Sequence, residues 1–77
     1  MIGKALYTVV LHEAEEGGYW TEVPALGTGS QGETIQEALE MTYEAIELMI
    51  EALREDGRPI PDDDDAYRET TRIAVPA

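Results

Sequence analysis

One stretch decides the fold of this chain: T-I-Q-E-A-L-E-M-T-Y-E-A-I-E-L-M-I-E-A-L-R-E-D-G, residues 34–57. It begins with a capping box, in which Thr34 is followed three residues later by Glu37, and it ends with a stop signal, Gly57 followed by Pro59. About six helical turns without glycine or proline lie between these signals. The spacing predicts one long amphipathic helix. Its main apolar face carries Ile35, Ala38, Leu39, Thr42, Ile46, Met49, Ile50 and Leu53.

The segments before the helix predict a hairpin. Residues 4–12 (KALYTVVLH) are apolar on both alternating faces, which is typical of a strand near the centre of a sheet. Residues 13–18 (EAEEGG) form a polar turn, and residues 19–23 (YWTEV) form a second, antiparallel strand. Residues 30–33 are compatible with a short edge strand.

The segment after the helix predicts a loop and a last strand. Residues 58–69 contain P-x-P and four consecutive aspartates and are typical of a mobile acidic loop, whereas residues 70–75 (TTRIAV) resemble a strand. A right-handed crossover through the helix places this strand parallel to the first one. We therefore expect residues 1–77 to form one α+β domain of β-β-β-α-β order, with sheet order 3-2-1-4 and the helix on one face.

The composition narrows the classes of function. Seventeen acidic against five basic residues give a net charge of -12, which repels nucleic-acid phosphates and favours basic protein partners. The 77 residues include no cysteine and one histidine, His12, so they offer no zinc-thiolate site and no assembled Ser-His-acid set. We predict no catalytic residue, no metal and no cofactor. We also expect no direct nucleic-acid binding by this chain alone.

The N-terminal residues 1–11 do not resemble a signal peptide, and no apolar run approaches the roughly 20 residues that span a bilayer. These features predict a cytoplasmic protein that is not bound to a membrane.

The predicted helix is apolar over a wide arc. With its flanks the arc approaches roughly 220°, against the ~100° that a surface helix needs. One interpretation is tolerated exposure, since two flank residues are alanines. The other, which we favour, is a homo-oligomer interface formed by one flank. That flank consists of Met41, Ala45, Leu48 and Ala52.

The opposite helix face is almost pure glutamate. Neighbours three or four residues apart repel each other by roughly 0.2–0.5 kcal/mol. This face is either kept acidic for solubility or serves as a landing surface for a basic protein. On the second strand, Tyr19 and Trp20 point to opposite sides of the sheet, so one of them faces away from the helix. The glutamates are Glu37, Glu40, Glu44, Glu47, Glu51 and Glu55.

Several runs resemble the HicB-like antitoxins. They are G-G-Y-W-T-E-V-P at residues 17–24, S-Q-G-E-T at residues 30–34 leading into E-A-L, and E-D-G-R-P-I-P at residues 55–61. The likeness extends over about residues 5–61. It implies a pared-down ribonuclease H-like domain without a catalytic centre, which forms dimers or tetramers. Residues 62–77 are too few for the DNA-binding domain that many members carry, so we do not carry promoter binding over to this chain.

The resemblance also implies a partner: HicA, a small basic toxin that cleaves mRNA and whose active surface the antitoxin covers. We therefore expect a non-enzymatic antitoxin module. The alternatives are a stand-alone oligomeric scaffold or adaptor without a toxin and, less favoured, a metal-dependent hydrolase. We expect the partner to contact Tyr19, Trp20, Glu22, Glu40, Glu44, Glu47 and Glu51.

Overall fold

The computed structural model describes residues 6–63, 74 and 76, which contain three strands and one helix. The strands are β1 (Val10–Glu13), β2 (Tyr19–Glu22) and β3 (Gln31–Gly32), and the helix is α1 (Ile35–Glu55). The strands form an antiparallel sheet of order β1-β2-β3, and α1 packs on one face of it against β2 and β3. The predicted α+β class is confirmed.

The first strand is shorter than predicted. Residues 6–9 are not in a strand, and β1 instead includes Glu13, which we had assigned to the turn. The reason is the length of its partner: β2 pairs with β1 only from Glu13↔Tyr19 to Val10↔Glu22. Beyond β2, Val23 makes only an isolated bridge, and Pro24 has no N–H to continue the ladder.

The short third strand forms within the expected residues 30–33, where Trp20 pairs with Gln31 and Tyr19 with Gly32. Of the predicted last strand, residues 70–75, all but Ala74 lie outside the described residues. The order 3-2-1 is therefore observed, whereas the position of a fourth strand stays a prediction.

Both ends of α1 are capped as the sequence predicts. The Thr34 hydroxyl accepts the N–H of Glu37 at 3.1 Å, and the Glu37 carboxylate accepts the N–H of Glu33 at 3.2 Å. At the other end Gly57 has a φ of 66°, which suits glycine. The N–H of Arg58 reaches the carbonyl of Leu53 at 2.9 Å, which completes a Schellman motif.

The sheet covers less of α1 than the apolar stripe predicts. Ala38 and Thr42 are buried, but Ile35 and Leu39 of the same apolar face are 46% and 44% exposed. The reason is that β2 has four residues and β3 two, so these strands cover only the positions where α1 crosses them. The buried residues of the described chain are Thr21, Val23, Leu26, Ala38 and Thr42.

A chain of hydroxyl hydrogen bonds joins the sheet to α1. The N–H of Ser30 donates to Thr21 Oγ1 at 3.0 Å, and Thr21 Oγ1 lies 2.5 Å from Thr42 Oγ1. The Thr42 hydroxyl donates to the carbonyl of Ala38 at 2.6 Å. Either hydroxyl can supply the hydrogen between the two threonines, because Thr21 Oγ1 also lies 3.3 Å from a second acceptor, the carbonyl of Ser30. Each buried donor in this chain has an acceptor, as buried polar groups require.

Gly32 lets α1 approach β3 closely. A Cβ on this residue would overlap the backbone of Glu37 and Ala38 in the first turns of α1. The glycine of the S-Q-G-E-T run is therefore a packing requirement of the fold.

The segment after α1 is fixed at its start. The Tyr7 hydroxyl donates to the carbonyl of Pro61 at 2.6 Å, and Thr8 donates its hydroxyl and its N–H to the two carboxylate oxygens of Asp63 at 2.6 and 2.7 Å. The Thr8 hydroxyl, and then its N–H, lower the pKa of Asp63. We predicted a mobile loop over residues 58–69; residues 61–63 are hydrogen-bonded, and residues 64–69 lie outside the described residues.

Removing the Thr21 hydroxyl from the sheet should lower the free energy of unfolding more than removing the Thr42 hydroxyl from the helix. Thr42→Val should lower the free energy of unfolding by about 1 kcal/mol, because Thr21 retains the carbonyl of Ser30, 3.3 Å away, as an acceptor. Thr21→Val should lower the free energy of unfolding by about 1–3 kcal/mol, because it leaves the N–H of Ser30 without a hydrogen-bond acceptor. Urea unfolding measures both, and the double variant should be less destabilised than the sum by about 0.5 kcal/mol or more. Additive effects would contradict the hydroxyl chain.

Candidate functional site

The outward side of α1 forms an acidic face. We use this name for Glu37, Glu40, Glu44, Glu47, Glu51 and Glu55, all of which are exposed. Within residues 6–63 none of them makes an ion pair, and neither does Arg54, the one basic residue of α1. Glu37 caps the helix and Glu40 accepts a hydrogen bond from Gln36 Nε2 at 3.1 Å. The charge of this face is therefore not neutralised by the described part of the chain.

The predicted oligomer residues form an apolar flank beside the acidic face. We use this name for Met41, Ala45, Leu48 and Ala52. Met41 is 41% and Leu48 66% exposed, Ala52 is exposed and Ala45 is half-buried. Leu48 also lines a shallow groove of about 310 Å³ with Glu44, Glu47 and Glu51, so the two surfaces adjoin. On the opposite flank of α1, Tyr43 is 65% exposed.

The predicted contact residues of β2 lie on two sides of the sheet. Thr21 hydrogen-bonds to Thr42 and therefore faces α1, so Trp20 and Glu22 point away from the helix while Tyr19 points toward it. Trp20 and Glu22 are exposed and Tyr19 is half-buried. The acidic face looks outward from the helix layer, whereas Trp20 and Glu22 look outward from the sheet layer. The structure therefore does not bring the seven predicted contact residues together on one flat surface.

A ring stack on the outer sheet face was missed by the sequence reasoning. The register places His12 opposite Trp20, and their rings stack with centroids 3.9 Å apart and planes 13° apart. His12 Nε2 lies 3.5 Å from Glu22 Oε1, and it is buried without a hydrogen-bond partner. A signal for this pairing was available: counting outward from a five-residue turn at residues 14–18, which the Ala14–Gly18 hydrogen bond closes, aligns residue 12 with residue 20.

A cleft at the turn end of the hairpin was also missed. It has a volume of about 480 Å³, and we call it the hairpin cleft. Three glycines are among its lining residues, and a side chain on one of them, Gly17, would meet no other atom within 4 Å. No pattern in the sequence predicts this cleft, because its shape depends on how the chain turns from β3 into α1. Besides the glycines, its lining residues are Ala14, Tyr19, Trp20, Gln31, Glu33 and Glu37.

Residues 6–63, 74 and 76 contain no group of three or more His, Cys, Asp or Glu side chains placed to hold a metal ion. Over the same residues, no helix combines the length and the hydropathy needed to cross a bilayer.

These features define a small α+β domain whose exposed surfaces are acidic and apolar. The chain belongs to the HicB-like antitoxin family of bacterial toxin-antitoxin systems, whose sequence profile matches residues 7–72. This match confirms the resemblance to HicB-like antitoxins that the G-G-Y-W-T-E-V-P and S-Q-G-E-T runs indicate.

Individual relatives agree with this assignment. The chain is 46% identical over 59 residues to the UPF0150 protein ssr1765 of Synechocystis, covering 75% of each chain. It is 45% identical over 58 residues to the UPF0150 protein Ta0767 of Thermoplasma acidophilum, covering 74% of this chain and 84% of that one. It is 41% identical over 56 residues to Antitoxin HicB 1 of Photorhabdus laumondii, covering 71% of this chain and 36% of that one. No solved structure matches the chain significantly.

Repulsion among the glutamates of the acidic face should lower the free energy of unfolding. Glu44→Lys removes repulsion with Glu40 and Glu47 and replaces it with attraction at the same spacing. We expect it to raise the free energy of unfolding by about 0.5–1.5 kcal/mol at low salt. Urea unfolding at low and high ionic strength measures the effect, which should shrink with salt. The control Glu15→Lys makes the same charge change in the hairpin turn, and an equal gain there would contradict the prediction.

Proposed function

We propose that this chain is a non-enzymatic, cytoplasmic antitoxin module that neutralises a basic, HicA-like, mRNA-cleaving toxin by covering its active surface. The observation that carries the proposal is the acidic face, whose six glutamates have no ion-pair partner within residues 6–63 in a chain of the antitoxin family. A surface that repels itself is costly, and a basic partner relieves that cost when it binds.

Charge and apolar contact have different roles in this mechanism. A chain of net charge -12 attracts a basic toxin over a distance of about a Debye length, which raises the association rate. Once the partners touch, exposed apolar groups such as Trp20 exclude water and lengthen the residence time. A toxin that spans both sets of groups must reach around one end of the two-layer domain, since they lie on opposite sides.

The test asks whether the reading frame beside this chain encodes a small basic protein that stops growth, and whether co-expression of this chain restores growth; a neighbouring frame of another kind would contradict the proposal. Wild type should restore growth, and Glu44→Lys/Glu51→Lys should fail to do so. The matched control, Glu15→Lys/Glu16→Lys, changes the net charge equally, from -12 to -8, but it does so in the hairpin turn.

Binding kinetics of the purified pair should give the same answer. The acidic-face variant should associate at least about tenfold more slowly at low salt, and wild type should lose its advantage as salt rises. Equal rescue by both double variants, or an association rate that does not depend on salt, would contradict the proposed role of the acidic face.

We further propose that the apolar flank forms a homo-oligomer interface, a dimer or a tetramer. Met41 and Leu48 are exposed at a spacing of seven residues, so they lie on nearly the same line along α1. The partner copies carry like charge, so their association has the opposite salt dependence from toxin binding.

Oligomerisation should therefore strengthen with salt. Sedimentation equilibrium of the wild type should show tighter self-association at high ionic strength, where repulsion between the copies is screened. Leu48→Glu should abolish it. The matched control Tyr43→Glu places the same charge on the opposite flank and should leave it unchanged. A wild type that stays monomeric at high salt would contradict the interface.

A further inference from the structure

We infer that the hairpin cleft is a receptor for an arginine side chain of the basic partner. The inference rests on the proposed function and deepens it, because it names the chemical group that this part of the antitoxin would take. The hairpin cleft combines an aromatic wall with carboxylates in one concave space of about 480 Å³. An arginine side chain carries a planar cation on a long apolar stem, so it fits both features.

The aromatic wall is Trp20. It lies on β2, between β1, which carries His12, and β3, which carries Gln31. The His12 ring stacks on Trp20, and Gln31 lines the hairpin cleft with it. The indole is thereby held on the β1 side while it contributes to the cleft, and it remains 38% exposed. A guanidinium group stacks on such a ring more favourably than on any other side chain.

The carboxylates are those of Glu33 and Glu37. The N–H of Glu33 fixes one oxygen of Glu37 at 3.2 Å, which holds that charge at the cleft. The carboxylate of Glu33 has no hydrogen bond or ion pair within residues 6–63, and no lysine or arginine of that range lines the cleft. An arginine guanidinium supplies both the positive charge and the paired N–H donors that a free carboxylate accepts.

The position of the hairpin cleft relative to the acidic face favours a basic protein as the occupant. Glu37 belongs to both surfaces, so a toxin lying along the acidic face reaches the cleft at the N-terminal end of α1. A second copy of this chain would bring another strongly acidic surface against Glu33 and Glu37, and repulsion opposes that pairing. The cleft therefore also joins the helix side of the domain to the sheet side, where Trp20 points.

The sole tryptophan of the chain reports directly on the hairpin cleft. The probe is the tripeptide acetyl-Gly-Arg-Gly-amide, and its control is the same peptide with citrulline, a neutral isostere of arginine. The arginine peptide should change the fluorescence of Trp20 in a saturable way that weakens with salt, whereas the citrulline peptide should not. Glu33→Gln, which alters no described contact, should weaken binding roughly twofold to tenfold. Glu15→Gln, in the turn outside the cleft wall, should leave it unchanged.

Residence times measured with the toxin that this chain neutralises in the rescue test distinguish this inference from the proposed function. Trp20→Leu and Glu33→Gln should each shorten the residence time of that toxin, while Tyr43→Leu, an exposed aromatic elsewhere, should not. Full rescue with unchanged residence times would overturn the inference and leave the proposed function standing. Loss of rescue in every arm, with saturable arginine binding retained, would overturn the proposed function instead. A fluorescence change on dilution without peptide would show that a second copy fills the hairpin cleft, which also overturns the inference.

Discussion

Two threonine hydroxyls set the distance between the helix and the sheet, and the rest of the domain depends on that contact. Thr21 and Thr42 are both buried, and their oxygens lie 2.5 Å apart. A pair of larger apolar side chains would hold the two layers farther apart. Ala38 and Gly32 keep the same approach close on either side, because they place almost no side-chain volume between α1 and the strands. The domain is thus joined by small and polar groups at its centre.

That choice of residues explains why so much apolar surface remains outside. Close packing of a long helix on short strands buries few large side chains, and among the described residues the largest fully buried side chains are those of Val23 and Thr42. The apolar groups along the flanks of α1 and on the outer sheet face then have nothing in the described chain to cover them. Exposed apolar area of this kind is tolerated singly, but contiguous patches mark surfaces that meet other molecules. The limited size of the core therefore leaves apolar surface that is available for contact with another molecule.

The sequence could predict those elements whose determinants are local. The ends of α1 are set by Thr34, Glu37 and Gly57, which act within one turn of the chain, and the hairpin follows from a short polar turn between two β-rich runs. The start of β1 was not predictable in this way, because strand length depends on the partner strand. The hairpin cleft was not predictable either, since it arises where β3, the turn glycines and the first turn of α1 meet in space. The positions of the acidic face and the apolar flank on α1 were predictable, because helical spacing fixes them. The molecules that these two surfaces contact were not predictable in this way.

Glu37 belongs both to the N-terminal cap of α1 and to the acidic face. As a capping residue it satisfies a backbone N–H at the start of α1, a role that would be filled equally well in a neutral helix by glutamine. As a member of the acidic face it lies three residues from Glu40, whose charge repels it, whereas the helix dipole favours its carboxylate in the first turn. Glu37 is the residue that the acidic face shares with the lining of the hairpin cleft, so in the proposed complex a basic partner lying along the helix side would meet its carboxylate before reaching Trp20.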